Sequence, residues 1–313
     1  MEVIKIVLST GFLAATVRMA TPLIFGTIGE LIGQLSGVMN LGIEGIMTMG
    51  AMVAWFVAYN GYDLWTAVLC AAAVGSLIGL LHALFAVHLG VSQQVSGIAI
   101  TLLATSLSYF LTMMALPKGM MPPKITPFAP ISVPLLSDIP VLGPALFSQT
   151  ALGYLAIIIV PVVVYVLFRT PLGLALRMAG QSPLALEGEG ISVYWVRTGA
   201  VMFGSALMGV AGAFFALAAF DTFVFGMIGG RGWVCIALVF FASWKPGRAL
   251  FGALMFAAFD ALQLRIQQEA SPIIPYQLFL ALPYVLSIIA MVIIARGLRY
   301  PKALFLPFRR GER

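Results

Sequence analysis

Hydrophobic positions along this chain gather in long unbroken runs, with polar and charged residues held mainly to the gaps between runs or to narrow stripes within them. A bilayer core of about 30 Å needs about 20 apolar residues per helix. The strands of a membrane barrel would instead show alternating segments of about 10 residues. The pattern predicts an all-α, polytopic transmembrane bundle of about nine spans (eight to ten), with helices over 6–33, 41–59, 64–88, 93–115, 149–168, 197–219, 231–244, 248–267 and 274–295. The first run exceeds one crossing and carries Arg18, Pro22 and Glu30, so it is expected to be tilted or broken.

Composition supports this class. Only 9% of the 313 residues are charged and mean hydropathy is +1.06, where a soluble domain carries about 25% charged residues. The whole chain, 1–313, reads as one transmembrane domain without a cleavable signal peptide. Cys70 and Cys235 both fall inside apolar runs and read as small packing residues rather than a disulfide or metal framework.

Charge sets the expected orientation. Arg296, Arg299, Lys302, Arg309, Arg310 and Arg313 crowd the C-terminal 18 residues, so that tail is expected in the cytoplasm. Nine crossings then put Arg169, Arg177, Arg197, Lys245 and Arg248 on the same side, and the N-terminus outside. The tail reads as a topology anchor against membrane lipid rather than a nucleic-acid site. The 115–148 connection, expected outside, holds 8 of the 18 prolines and cannot form a long helix. It is a lid, a docking site or an inert linker.

Three stretches carry candidate chemistry. In the first, Gly29, Gly33 and Gly37 recur every fourth residue, a smooth stripe for close helix packing, and Asn40 and Glu44 follow one turn apart. That pair either caps a helix or borders a cavity beside a broken helix, the setting in which irregular backbone is tolerated at membrane depth. In the second, Gln94, Gly97, Thr101, Thr105, Ser108 and Thr112 form one polar face through five turns, suited to helix packing or to a path for a neutral polar solute. In the third, the 170–196 loop, Gly180 ends a helical stretch, Ser182 and Pro183 start a short helix and Gly188 and Gly190 end it. Such a surface helix is a simple connection or a plug for a groove on a soluble partner.

SGVMNLGIEG (Ser36–Gly45, preceded by Gly29 and Glu30), AGQSPLALEGEGI (Ala179–Ile191) and GRGWVCIALVFFASWKPGRALFGA (Gly230–Ala253) occur in this order. Together they resemble the integral-membrane permeases of bacterial ABC-type importers in the simple-sugar and nucleoside group, closest to the shorter permease of purine-nucleoside systems. The likeness covers about residues 20–295. The chain departs from the group in having Gln34 and Leu35 where many members carry a Glu-Arg pair.

The resemblance implies a non-enzymatic inner-membrane subunit that binds no cofactor or metal and has no catalytic residues. A cytoplasmic ATPase would use the ATP and dock on Gly180, Ser182, Pro183, Ala185, Glu187 and Gly190. A second permease subunit would complete the path, and an extracytoplasmic solute-binding protein would deliver a purine nucleoside or, alternatively, a simple sugar. Asn40, Glu44, Gln94, Thr101, Thr105 and Ser108 would line or border that path. The sequence itself contains no G-x-x-x-x-G-K-[ST] loop.

Two other classes compete. An ion-coupled secondary transporter would use intramembrane carboxylates, for which Glu30, Glu44 and Asp260 are candidates, with Arg18 and Arg265 as neutralising partners. An intramembrane enzyme is disfavoured, because His82 and His88 are six residues apart and point about 120° away from each other on a helix. Ser205 has no sequence context of a nucleophile.

Overall fold

The computed structural model describes residues 10–308 except 118, most of 135–145 and most of 270–299. Its described part is mostly helix. In chain order these are α1 (Thr10–Leu35), α2 (Ile43–Tyr59), α3 (Leu64–Ala83), α4 (Gln93–Ala115), α5 (Ala151–Arg169), α6 (Pro171–Gln181), α7 (Pro183–Gly188), α8 (Val193–Phe214), α9 (Arg231–Phe241) and α10 (Pro246–Glu269). One π turn, Leu84–His88, prolongs α3, and another, Phe215–Ala219, prolongs α8.

Six of these helices are long and apolar enough to cross a membrane, while Ile43–Tyr59 and Arg231–Phe241 are shorter apolar helices. The expected 274–295 span falls almost entirely outside the described residues. The proline-rich connection contains one departure from an all-α chain. There β1 (Pro130–Ser132) pairs antiparallel with β2 (Ser148–Thr150), with Ile131 opposite Gln149.

The first helix is not broken at Pro22, which lies inside continuous α1. The break comes later, over residues 36–42, between α1 and α2. Gly37 opens it with φ +95°, a left-handed conformation that glycine adopts freely. Consequently the expected stripe of Gly29, Gly33 and Gly37 is not one helical face, because Gly37 lies past the end of α1. Gly33 faces the carbonyl of Val38, so the chain folds back onto its own helix there.

Helix α8 is the packing centre. Its Gly204 meets the backbone of Gly29 in α1, its Gly209 meets Ala71 in α3 and Gly50 in α2, and its Gly212 meets the Met47 carbonyl in α2. On the facing side Gly75 and Gly79 of α3 rest against Ser205. Apolar side chains gain little by leaving lipid for protein, so such backbone approach and the dispersion contacts it allows drive association. The prolonged α8 is the most buried of the candidate spans, and α4 the least.

The proline-rich segment is anchored across one end of the bundle. Ile125 N–H donates to the Asp221 carbonyl at 2.8 Å and Phe128 N–H to the Leu217 carbonyl at 2.9 Å. Trp55 Nε1 donates to the Pro123 carbonyl at 3.0 Å, and Thr222 Oγ1 to that of Pro122 at 2.8 Å. Its lack of helix therefore leaves few loose ends along 122–128.

A side chain at Gly204 would have to enter the Gly29 carbonyl, whereas Gly199 on the same helix has open space around it. Gly204→Val is expected to destabilise the protein by about 3 kcal/mol, and Gly199→Ala by less than about 0.5 kcal/mol. Unfolding in detergent, followed by helical circular dichroism, measures both. Equal midpoints for the two variants would contradict the packing described here.

Candidate functional site

The 36–42 break lies deep among helices, and in such surroundings every peptide group needs a partner. Side chains from three helices supply them. Gln93 of α4 accepts from Met39 N–H at 2.9 Å through Oε1 and donates to the Gly37 carbonyl at 3.1 Å through Nε2. His82 of α3 donates from Nε2 to the Met39 carbonyl, while its Nδ1 meets Ser96 Oγ, each at 3.0 Å. Thr101 Oγ1 donates to the Leu41 carbonyl at 2.8 Å. Glu30 of α1 accepts the Asn40 N–H at 3.1 Å.

Asn40 is turned inward and nearly fully buried. Its Oδ1 accepts from Gly42 N–H at 2.8 Å and its Nδ2 donates to Ser205 Oγ of α8 at 3.1 Å. It thus sets the turn into α2 and fastens that turn to the central helix. Gln34 extends the same network, donating to Glu30 Oε1 at 2.8 Å and accepting from Trp244 Nε1 at 2.9 Å. Trp244 has φ +57° and follows Ser243 at φ +49°, a left-handed exit from α9 that brings the indole back to α1.

Glu44 points from the first turn of α2 to the start of α9. Its two carboxylate oxygens accept from Gly230 N–H and Gly232 N–H, each at 2.8 Å. A carboxylate is favourable at that helix end because the unpaired N–H groups and the helix dipole present positive charge. The cap belongs to another helix, not to α2 itself. Gly232 must be glycine-like in size there, since a Cβ would press on Glu44.

The polar face expected on α4 is shifted by one residue at its start. Gln93, Ser96, Gly97, Ala104, Ser108 and Thr112 face inward, with Thr101 and Thr105 beside them, while Gln94 is exposed and accepts from Ser92 Oγ. Ser108 Oγ donates to the Thr105 carbonyl at 2.7 Å and Thr112 Oγ1 to that of Ser108 at 2.8 Å. Thr105 Oγ1 is buried with no partner.

Among the described residues, the carboxylates proposed for ion coupling have partners other than Arg18. Asp260 pairs with Arg231 at 3.0 Å, rather than with Arg18, which is exposed on α1. The side chain of Arg265 lies outside the described residues. His82 and His88 serve different contacts, His88 Nε2 meeting Thr198 Oγ1 at 3.0 Å.

The 170–196 segment folds as two short helices, the stretch expected to end near Gly180 and the new one expected from Ser182 and Pro183. Thr170 caps α6 by accepting from Gly173 N–H at 3.2 Å, with Pro171 at its first position. Ser182 occupies the cap position of α7 without a side-chain cap bond, and its carbonyl takes the N–H of Ala185 instead. Leu186 is buried and anchors α7, leaving Ser182, Ala185, Gly188 and Gly190 exposed. Glu187 accepts from Val193 N–H at 3.1 Å, capping α8. Gly180 sits against the Leu35 carbonyl and close to Gly37 N, so the surface segment touches the break directly.

The chain belongs to the family described as branched-chain amino acid transport system, permease component, which it matches over residues 12–297. It is 36% identical over 297 residues to a nucleoside ABC transporter permease protein of Lactococcus lactis, covering 91% of this chain and 92% of that one. It is 35% identical over 309 residues to a guanosine ABC transporter permease protein of Bacillus subtilis, covering 96% of each. A protein of Haloferax volcanii provisionally named a glucose ABC transporter permease is 39% identical over 263 residues, covering 83% of this chain and 78% of that one. The chain is therefore an ABC permease of the nucleoside and simple-sugar type, a multi-pass transport subunit of the bacterial inner membrane.

Gln93 and Gln94 separate the network from the sequence pattern that suggested it. Gln93→Leu strands one buried N–H and one carbonyl of the break and is expected to destabilise the protein by about 2–4 kcal/mol. Gln94→Leu is expected to change stability by less than about 0.5 kcal/mol. Thermal unfolding in detergent with an intrinsic-fluorescence readout checks the pair, and a reversed order would discredit the network.

Proposed function

We propose that this permease forms, with a second permease subunit, the path of an ATP-driven importer whose solute is a purine nucleoside. The observation that carries a path for an uncharged solute is the buried break and the α4 face beside it. These offer amides, hydroxyls and backbone groups, while both carboxylate oxygens of Glu44 and Oε1 of Glu30 accept hydrogen bonds within the chain. The nucleoside is supported by the two relatives named for nucleoside and guanosine transport, which match nearly the whole chain. A simple sugar is the second reading, favoured by the relative named for glucose.

In this proposal Thr105 and Ser108 border the path together with Glu44, while Asn40 and Thr101 hold the break in shape. Gln94 stands on the outer side of α4, the least buried candidate span, where a companion permease would lie. The chain makes about nine crossings, with its basic C-terminal segment in the cytoplasm and the proline-rich segment outside to receive a solute-binding protein. The exposed Ser182, Ala185 and Gly190, with half-buried Pro183, form the surface that takes the ATPase subunit, with Gly180 and Glu187 fixing that surface to the bundle. Closure of the ATPase pair on ATP would push the segment, and Gly180 would pass the motion to Leu35 and Gly37.

Reconstitution with the companion permease, ATPase and binding protein tests the proposal by uptake of labelled guanosine, ribose and leucine. ATP-dependent guanosine uptake is expected. Ribose uptake alone would keep the ABC class and move the substrate to sugars, and guanosine uptake driven by an ion gradient without ATP would overturn the energetics. Thr105→Val keeps the side-chain shape and removes the unpartnered hydroxyl. It is expected to raise KM for guanosine about fivefold with little change in stability.

A further inference from the structure

Arg197, in the first turns of α8, is among the largest fully buried side chains of the protein, with 1% of its surface exposed. An arginine near the start of a span is ordinarily a solvated marker of orientation. Here its guanidinium is enclosed where three segments meet. Nη2 donates to the Ala179 carbonyl at 3.1 Å, near the end of α6. Nη1 donates to the Leu306 carbonyl at 3.0 Å, in the segment that follows the 270–299 region. On the third side the guanidinium lies beside Gly37, close enough that a Cβ on that glycine would press on Nη2.

The 300–308 segment is itself strapped over this point. Ala303 N–H donates to the Gly180 carbonyl at 2.8 Å, and Tyr194 Oη donates to the Phe308 carbonyl at 3.0 Å. The Phe308 ring packs edge-on against Tyr194, with centroids 5.5 Å apart. The strap leaves a cavity of about 490 Å³ bounded by Ser182, Pro183, Arg197 and Leu306. Among the described residues no carboxylate pairs with Arg197. Its charge is balanced by carbonyls, one of them at a helix end where the dipole is negative.

A buried charge without a carboxylate partner is costly. A planar fork can hold two acceptors at fixed separation, which a lysine cannot do. We propose that Arg197 and the 300–308 strap form a clutch that locks the α6–α7 surface segment to the 36–42 break, so that displacement of the segment moves the break instead of sliding past it. Arg197 is a positioning residue, acting through the Ala179 and Leu306 carbonyls and through Gly37. This role rests on the proposed docking of an ATPase at α6–α7.

The test uses the complete transporter in proteoliposomes and compares wild type with Arg197→Lys and with a chain stopped after Tyr300. The readout is ATP hydrolysed per guanosine taken up, with subunit assembly followed by size-exclusion chromatography. Both variants are expected to assemble, to keep ATP hydrolysis within about twofold, and to raise the ATP-to-solute ratio about tenfold. The shortened chain lacks the strap but keeps Arg197, so it tests the clutch even where Arg197→Lys fails to fold. An unchanged ratio, or hydrolysis and uptake that fall in parallel, overturns the clutch while leaving an ATP-driven permease standing. Wild-type uptake that needs no ATP overturns both.

Discussion

Close approach of backbones to α8 is the constraint on which the rest of the structure depends. Gly204, Gly209 and Gly212 bring α1, α3 and α2 against one helix, and the carbonyls they meet leave no room for a Cβ. In lipid, that closeness replaces the hydrophobic drive that would assemble a soluble bundle. It also determines what can be buried elsewhere. Only because α1, α3 and α8 are held this tightly can Glu30, His82 and Ser205 converge on a single stretch of non-helical chain.

The break is the second dependency. Residues 36–42 would leave unpaired peptide groups in the protein interior, where water cannot serve them, and the side chains around them answer those groups, Gln93 two of them. Gln93 serves Met39 and Gly37, His82 serves Met39, Thr101 serves Leu41, and Asn40 serves Gly42. Related members that carry a Glu-Arg pair before this stretch would place charge where this chain has Gln34 and Leu35. Here the neutral Gln34 joins Glu30 to Trp244, so the position still links α1 to the α9 exit without a charge that must be balanced.

Much of the helical layout was legible because membrane helices leave a strong mark of length and apolarity. Residues 93–115 match α4 in both bounds, and 64–88 matches α3 together with its π turn. Arg231–Phe241 ends earlier than the expected 231–244, because Ser243 and Trp244 take positive φ, which no hydrophobic pattern records. A break near Asn40 and Glu44 was one of two readings the spacing allowed, and its partners were not legible. His82 and Gln93 were unreadable as partners because they are 43 and 54 residues from Met39, and only packing brings them there. The stepping pattern through Gly97, Thr101, Thr105, Ser108 and Thr112 does face inward, and only its first position was misplaced, since the spacing of three or four residues admits Gln93 as well as Gln94.

Arg197 shows the same limit from the opposite side. Counting cations by loop places it with Arg169 and Arg177 as a marker of orientation, since a charge near a span end is ordinarily solvated. Its acceptors, the Ala179 and Leu306 carbonyls, are 18 and 109 residues distant, and neither carries a side-chain signature. Backbone carbonyls are acceptors at every position of every chain, so composition cannot reveal which of them will enclose a guanidinium. The helix end at Ala179 nevertheless gives this site a physical reason: its carbonyls lack intrahelical donors and present partial negative charge. A forked cation is then the side chain that joins that end to a neighbouring stretch of backbone, which is why its burial is tolerable with no carboxylate beside it among the described residues.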